Sequence, residues 1–466
     1  MTGAGFAGQP VKPARHAEGA RRVVRVSADK YDAPPTDGVA TRLEDTLRPF
    51  IGGDLPVRLV AWDGSAAGPT QDGTGATLPV VELRSPDALR RLVWHPSELG
   101  AAQAYVTDDL VVQGGLAELD RALTLAFAVA EERDLGGRRP SLTAMLGAAR
   151  AAFELDLVGR PPAAPDSQAR ITGRRHSRRR DRASISHHYD TTADFYSLIL
   201  DPVAMAYSCG YYASPETPLV EAQHAKLDLV CRKLGLEPGM RLLDVGCGWG
   251  SMALHAAEHF GVEVTGVTIA AEQQRFATAA AERRGLTDLV SFEVRDYRDA
   301  VPAPDEEYDA VVSLEMGEHV GQRNYPTYAR VLHDAVRPGG RVLVQQMSRP
   351  DGDHPGGGPF IEHFIAPDMH MRPVGATVAL LEQAGLEARD VHALREHYVL
   401  TVAGWIERFE ENRAAITELV GEELVRVWEL YLVGGSRAFR DGRMGVDQIL
   451  LVRPGAEHGL AWRRAW

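Results

Sequence analysis

Three glycines at alternate positions close a run that begins with apolar residues and passes through one aspartate: Leu242-Leu243-Asp244-Val245-Gly246-Cys247-Gly248-Trp249-Gly250. Glycine lets a backbone turn sharply and lets a ligand approach it closely. The run therefore reads as a buried strand, a ligand-cradling turn and a helix beginning near Ser251. A dinucleotide would suit such a turn, because helix N-terminal amides favour a pyrophosphate. Its usual fingerprint is G-x-G-x-x-G, however, and the spacing here is G-x-G-x-G. Where dinucleotide folds place an acidic ribose partner, the second strand ends in the neutral Thr268, followed by Gln273. Each can hydrogen-bond a ligand or cap the helix that follows.

Other groups with chemical content fall in short clusters: Tyr207-Ser208-Cys209, Asp296-Tyr297-Arg298-Asp299, Glu318-His319 and His397-Tyr398. The elements that must position them are evenly spaced apolar strands at Arg241–Val245, Val262–Val267, Leu289–Phe292, Tyr308–Ser313 and Gly340–Val344, with helical patterns between. This alternation predicts an α/β fold with a doubly wound sheet, whose ligands bind beyond the carboxyl ends of the strands. Ahead of it, strands at Val57–Trp62 and Pro79–Leu83 and amphipathic helices at Asp87–Trp94 and Leu116–Glu132 predict a small α+β unit with no catalytic motif.

The organisation expected is a mobile tail over 1–38, an accessory domain over 39–158, a basic linker over 159–184 and a catalytic domain over 185–466. The chain has 466 residues with 44% hydrophobic and 25% charged, which excludes a disordered or collagen-like chain. Lys plus Arg is 51 against 64 Asp plus Glu, a net charge of −13 that argues against a nucleic-acid partner. Three cysteines form no disulfide framework, which fits a reducing cytoplasm. No apolar segment reaches the ~20 residues needed to span a bilayer, and no signal peptide is expected. The linker is the exception to the acidic balance: Arg170, Arg174, Arg175, Arg178, Arg179, Arg180 and Arg182 face only Asp181. It reads either as a solvated connector or as a patch drawn to an anionic membrane surface, at ~1 kcal/mol per basic residue.

The glycine segment resembles motif I of the Rossmann-like S-adenosylmethionine (SAM) methyltransferases. Taken with His187-His188-Tyr189-Asp190, Leu200-Asp201-Pro202, Tyr207-Ser208-Cys209-Gly210-Tyr211-Tyr212, Glu272-Gln273-Gln274, Asp296-Tyr297 and Glu318-His319-Val320-Gly321, the ordered series resembles the cyclopropane-fatty-acid synthase family over about 185–453. The resemblance implies SAM contacts at Tyr207, Ser208, Asp244, Gly246, Gly248, Thr268, Gln273, Tyr297 and Arg298. It implies a reaction site at Cys209 (through its backbone), Glu318, Gln345, Met347 and Tyr398, with a bicarbonate ion as base held by Glu318 and Tyr398.

The implied chemistry is demanding. An isolated alkene is a weak nucleophile toward a sulfonium methyl, so positioning is the main contribution. The resulting carbocation requires a dry pocket, and aromatic faces such as Tyr211 or Phe364 would stabilise it or simply line it. The sequence departs from the family in two places. Gln345 stands where the best-known branch has a histidine, and glutamine cannot carry a proton at neutral pH. Gly434-Gly435-Ser436 replaces a cysteine that many members carry. An apolar segment, Pro359-Phe360-Ile361-Glu362-His363-Phe364-Ile365, reads as a cover for an acyl tunnel or as core. Glu362, His363 and His370 fit no usual zinc spacing, so no metal is expected.

The segments around Glu318, His370 and Tyr398 are most similar to the actinobacterial branch making 10-methylene and 10-methyl, tuberculostearic-type fatty acids. The substrate expected is thus an unsaturated, oleoyl-type phospholipid, with a homodimer and a partner reductase as further expectations. The enzyme would lie peripherally on the inner face of the cell membrane. Alternatives are cyclopropane formation on the same substrate, N-methylation of a small amine, and an inactive lipid-surface binding protein.

Overall fold

The computed structural model describes residues 37–134, 141–169, 173, 176–178, 180, 192–303 and 305–464. The expected tail lies almost wholly outside these residues, as do Arg170, Arg174, Arg175, Arg179, Arg182 and the run from His187 to Asp190.

The N-terminal unit comprises α1 (Val39–Ile51), β1 (Arg58–Val60), β2 (Ala66–Ala67), β3 (Val80–Leu83), α2 (Pro86–Trp94), α3 (Glu98–Val106), β4 (Leu110–Val112), α4 (Gly115–Glu132) and α5 (Leu142–Glu154). Its strands form one sheet in the order β2-β1-β3-β4, with only the β1–β3 pair parallel. Helix starts follow local chemistry. Ser85 and Ser97 accept the free amides of Asp87 and Leu99, and Pro86 occupies a first-turn position where its missing N–H costs nothing.

The second unit comprises α6 (Ala193–Ile199), α7 (Leu219–Leu234), β5 (Arg241–Val245), α8 (Ser251–Phe260), β6 (Glu263–Thr268), α9 (Ala271–Arg284), β7 (Val290–Val294), β8 (Tyr308–Leu314), α10 (Tyr325–Ala335), β9 (Val336–Ser348), α11 (Val374–Gln383), β10 (Glu387–Ala393), α12 (Arg395–Glu411), α13 (Arg413–Arg440) and β11 (Gly445–Val452). The seven-stranded sheet runs β10-β11-β9-β8-β5-β6-β7. This is the expected Rossmann-like, doubly wound architecture. Strand β5 pairs in parallel with β6 on one side and β8 on the other, which creates a crevice beyond its carboxyl end. Its residues from Leu242 to Val245 are all buried, as a strand covered by helices on both faces requires.

The five strands read from the sequence are present, and two more extend the sheet. β11 runs antiparallel between β9 and β10. β10 was not evident because its sequence, Glu-Ala-Arg-Asp-Val-His-Ala, is charged and only partly buried at the sheet edge. Between these strands the chain makes α12 and α13. The second of these is interrupted at Gly421, whose φ of 81° lies in the left-handed region.

α13 joins the two units. The Tyr105 hydroxyl donates to Glu429 Oε2 at 2.8 Å, and Arg426 pairs with Asp108. Beside them Leu99, Ala102 and Val106 of α3 bury against Phe360, Phe364, Ile365 and Val427. No helix among the described residues is long and apolar enough to cross a membrane.

Candidate active site

A cavity of about 160 Å³ opens beyond the carboxyl ends of β5 and β6. All nine residues expected to contact SAM line it: Tyr207, Ser208, Asp244, Gly246, Gly248, Thr268, Gln273, Tyr297 and Arg298. Gly246 has φ 82°, and a Cβ there would lie 2.7 Å from Met316 Cγ, so the turn and the close packing both demand glycine. Asp244 is buried, and burial pushes its carboxyl up to about 7 against the pull of Lys226. Its Oδ2 has no hydrogen-bond partner among the described residues. Thr268 Oγ1 donates to Gln273 Oε1 at 2.8 Å, which leaves the Gln273 amide nitrogen as its donor end. Asp296 opens the turn carrying Tyr297 and Arg298, accepting the Arg298 backbone amide and bracing its guanidinium at 2.7 and 2.8 Å. A glycine cradle that a Cβ would fill, a buried acceptor lacking a protein partner and an oriented amide donor fit the polar ends of SAM.

The Tyr207-Ser208-Cys209 segment is fixed from both sides. Asp201 accepts the amides of Val203, Ala204 and Ala206 at 3.2, 2.6 and 3.0 Å, turning the chain into it. From α7, the fully buried Gln223 and Lys226 then hold Ser208. Gln223 donates to its carbonyl at 2.7 Å and Lys226 to its hydroxyl at 2.8 Å.

A second, larger and mostly apolar cavity, of about 460 Å³, adjoins the first. Its walls come from α3, β4 and α4 of the N-terminal unit and from α12, α13 and the Phe360–Ala366 segment of the other. Three residues border both cavities: Tyr207, Glu315 and His319. Burial pulls His319 down to about 4, so its imidazole is neutral at this junction. The expected aromatic pair is not at the cavity. Tyr211 packs on the His397 ring and Phe364 on Phe360, and neither lines the wall. Tyr207, Tyr398, Trp405 and Tyr431 are among the aromatic residues that line it instead. Gly434 and Gly435 also line the cavity, with nothing within 4 Å of a Cβ at either, so the replaced cysteine leaves room there.

The residues expected at the reaction site gather around a side chain the sequence reading did not single out. Glu315 Oε1 accepts the Cys209 amide at 2.8 Å and Gln345 Nε2 at 2.7 Å, and Oε2 accepts the Tyr398 hydroxyl at 2.6 Å. Gln448 donates to Gln345 Oε1 at 3.0 Å, so Gln345 turns its amide nitrogen toward Glu315. The Cys209 thiol takes no part; burial pushes it up and it bonds the Gly210 and Leu394 carbonyls. Met347 lines the apolar cavity. Glu318 is fully buried, and neither carboxylate oxygen has a hydrogen-bond partner among the described residues. Burial and then the neighbouring Glu315 push it up to about 8, so it is protonated at neutral pH. The residues do not fit an added bicarbonate, because the Cys209, Gln345 and Tyr398 donors already hold a carboxylate and a second anion beside it would be repelled.

Two linker arginines are engaged beside the cofactor cavity. Arg180 pairs with Asp368 (3.1 Å to Oδ1), which lines that cavity, and Arg178 pairs with Asp299 (2.9 Å to Oδ1), two residues beyond Tyr297. These two linker arginines thus pair with carboxylates of the second unit, Arg180 largely buried and Arg178 still half exposed. Among the described residues the one grouping of potential metal ligands is His224, His255 and His259, none of which lines either cavity.

Residues 176–449 match the family model for mycolic acid cyclopropane synthetase. The chain belongs to this family. A probable fatty acid methyltransferase of Pseudomonas putida is 36% identical over 420 residues, covering 88% of this chain and 95% of that protein. The tuberculostearic acid methyltransferase UfaA1 of Mycobacterium tuberculosis is 32% identical over 418 residues, covering 86% and 88%. Among solved structures, mycolic acid cyclopropane synthase CmaA1 complexed with SAH and CTAB is similar, with a TM-score of 0.54 and 29% identity over 58% of this chain and 98% of that one. The protein is therefore a SAM-dependent methyltransferase of the lipid-modifying cyclopropane and fatty-acid methyltransferase family.

Proposed function

We propose that the enzyme methylates the double bond of an unsaturated, oleoyl-type phospholipid acyl chain and releases a 10-methylene product. The observation that carries this reading is the meeting of a polar, glycine-cradled cavity with a larger apolar one at Tyr207, Glu315 and His319. Bound in the first cavity, SAM supplies an electrophilic methyl group on a sulfonium. The chain's own residues then do three things. The Gly246 turn, Gln273 and Tyr297 hold the donor, while the apolar walls hold the alkene. Those walls also exclude water from a developing cation, and Tyr207 and Trp405 offer it aromatic faces. The similarity to a tuberculostearic acid methyltransferase supports the methylene outcome.

In this reading the N-terminal unit presents the acyl chain, since α3 and α4 form one wall of the apolar cavity. The enzyme works peripherally at an anionic membrane face, and a partner reductase would convert the methylene group to a methyl branch. Incubation with SAM and oleoyl phospholipid vesicles, followed by NMR of the extracted acyl chains, tests the proposal. Exocyclic methylene protons are expected. Ring protons would transfer the assignment to cyclopropane formation, and no one-carbon mass gain would refute lipid methylation altogether.

A further inference from the structure

Whichever product forms, the acyl cation must lose a proton where the two cavities meet. We propose that the carboxylate of Glu315 is the catalytic base, and that the cradle of Cys209, Gln345 and Tyr398 exists to hold this side chain rather than a captured inorganic anion. The inference rests on the functional reading above, because only an acyl cation needs such a base.

Four observations carry it. Glu315 borders both the cofactor cavity and the apolar cavity, so the residue stands where donor and alkene must meet. Three donors converge on those oxygens from separate elements: the Cys209 amide, Gln345 on β9 and Tyr398 on α12. Gln345 is locked in the donating orientation by Gln448, an arrangement suited to a carboxylate that needs no relay. Finally, Glu315 has φ 53°, a left-handed conformation that a side chain rarely adopts and that functional sites tolerate when the surroundings enforce it.

The neighbouring charges are consistent with this assignment. Glu315 and Glu318 are two buried carboxyls whose charges oppose one another, so burial and mutual repulsion disfavour ionising both. Burial pushes both carboxyls up, but at Glu315 the Tyr398, Cys209 and Gln345 donors and the charge of Lys226 oppose it, whereas no side chain among the described residues donates to Glu318; this asymmetry places the proton on Glu318 and the charge on Glu315. Methyl transfer forms the new C–CH3 bond from the alkene π pair, as the S–CH3 pair passes to sulfur. Glu315 then takes a proton from the cationic chain. The electron pair of that C–H bond closes a ring or, after a hydride shift, forms the exocyclic double bond. The proton leaves Glu315 to solvent when the product departs.

The test compares wild type, Glu315→Gln and Glu315→Ala in carbon-dioxide-free buffer and with added bicarbonate, using oleoyl phospholipid vesicles and measuring SAM binding by calorimetry. Glutamine can keep all three contacts, because its oxygen can face Cys209 and Gln345 and its NH2 can face the Tyr398 oxygen. The expected result is wild-type turnover that ignores bicarbonate, and a Glu315→Gln kcat reduced by at least about 100-fold with SAM affinity unchanged. Turnover of Glu315→Ala regained on adding bicarbonate or acetate, which the vacated cradle would bind, would support the proposal further. A wild-type rate that falls when bicarbonate is removed would overturn it without recourse to any variant, as would near-normal turnover by Glu315→Gln. Absence of lipid methylation by the wild type would instead refute the functional reading on which the inference rests.

Discussion

Replacing Ala122 by phenylalanine probes the acyl cavity without touching the reaction junction. Ala122 is a buried residue of α4 that lines the apolar cavity, and α4 contributes none of the three residues bordering both cavities. The added ring projects into a space of about 460 Å³ rather than into packed core, so little overpacking strain is expected. If the ring displaces about four methylenes of the bound chain at ~0.8 kcal/mol each, the loss is about 3 kcal/mol of acyl binding. That corresponds to roughly a 100-fold fall in kcat/KM for oleoyl phospholipid. Chains shortened from the methyl end should lose progressively less, because the shorter chains no longer reach the blocked region. Activity should be followed by mass analysis over this chain series, with SAM affinity measured separately by calorimetry. Unchanged kcat/KM for the oleoyl substrate would refute the assignment of this cavity to the acyl chain. An equal loss at every chain length, accompanied by weakened SAM binding, would refute the separation of the two cavities.

Other outcomes follow from the same geometry. Arg180→Ala removes a pair whose side chains are only 14% and 7% exposed and so should cost ~1.5–3 kcal/mol and weaken SAM binding; Arg178→Ala, with a pair 55% and 53% exposed, should stay under ~1 kcal/mol. Thermal melts with SAM titrations check the contrast, and equal effects would sink it. Gly246→Ala should destabilise by ~1–2 kcal/mol through the left-handed backbone alone and should weaken SAM at least severalfold through the Met316 contact, both read from a SAM-dependent melt. Glu318 is held at about 8 against an ordinary 4.5, so its neutral form is favoured in the fold. The corresponding stability is present below pH ~4.5 and is lost as pH rises toward 8. Glu318→Gln should therefore raise the melting temperature at pH 8 and leave it nearly unchanged at pH 4; a gap independent of pH would contradict the buried, proton-bearing carboxyl.

The parts of this molecule legible in its sequence are those whose cause is local. The β5 strand and its glycine turn are contiguous, and burial on both faces writes a buried run from Leu242 to Val245 that is apolar except at Asp244, the residue that faces the cavity. The nine residues expected around SAM all line the first cavity, because the strand ends and turns that carry them are set by local backbone geometry. Two classes of feature were hidden. β10 is a charged edge strand, and nothing in Glu387–Ala393 alternates in hydrophobicity. Arg178 and Arg180 belong to a charge run whose composition suggests solvent, yet their partners Asp299 and Asp368 lie more than a hundred residues away in sequence. A charge run reports composition, whereas pairing depends on a fold that composition does not encode.

Glu315 was hidden for a different reason, and its signal was present. It lies in Ser313-Leu314-Glu315-Met316-Gly317-Glu318, three residues before the carboxylate that the family resemblance marks. Gln345, recognised as a departure from the family, reads as one member of a pair once Glu315 is placed. A glutamine cannot relay a proton, but it is a good donor to a side-chain carboxylate, and Gln448 fixes it in that orientation. An inorganic anion must be captured from solution and kept in place. A carboxylate on the chain is permanently present, at the cost of a strained residue and a second buried acid that must stay protonated. Histidine at position 345 together with a small residue at 315 would form the alternative, anion-capturing arrangement. The double variant Glu315→Gly with Gln345→His should therefore make turnover depend on bicarbonate, whereas Gln345→His alone, with Glu315 still filling the cradle, should not.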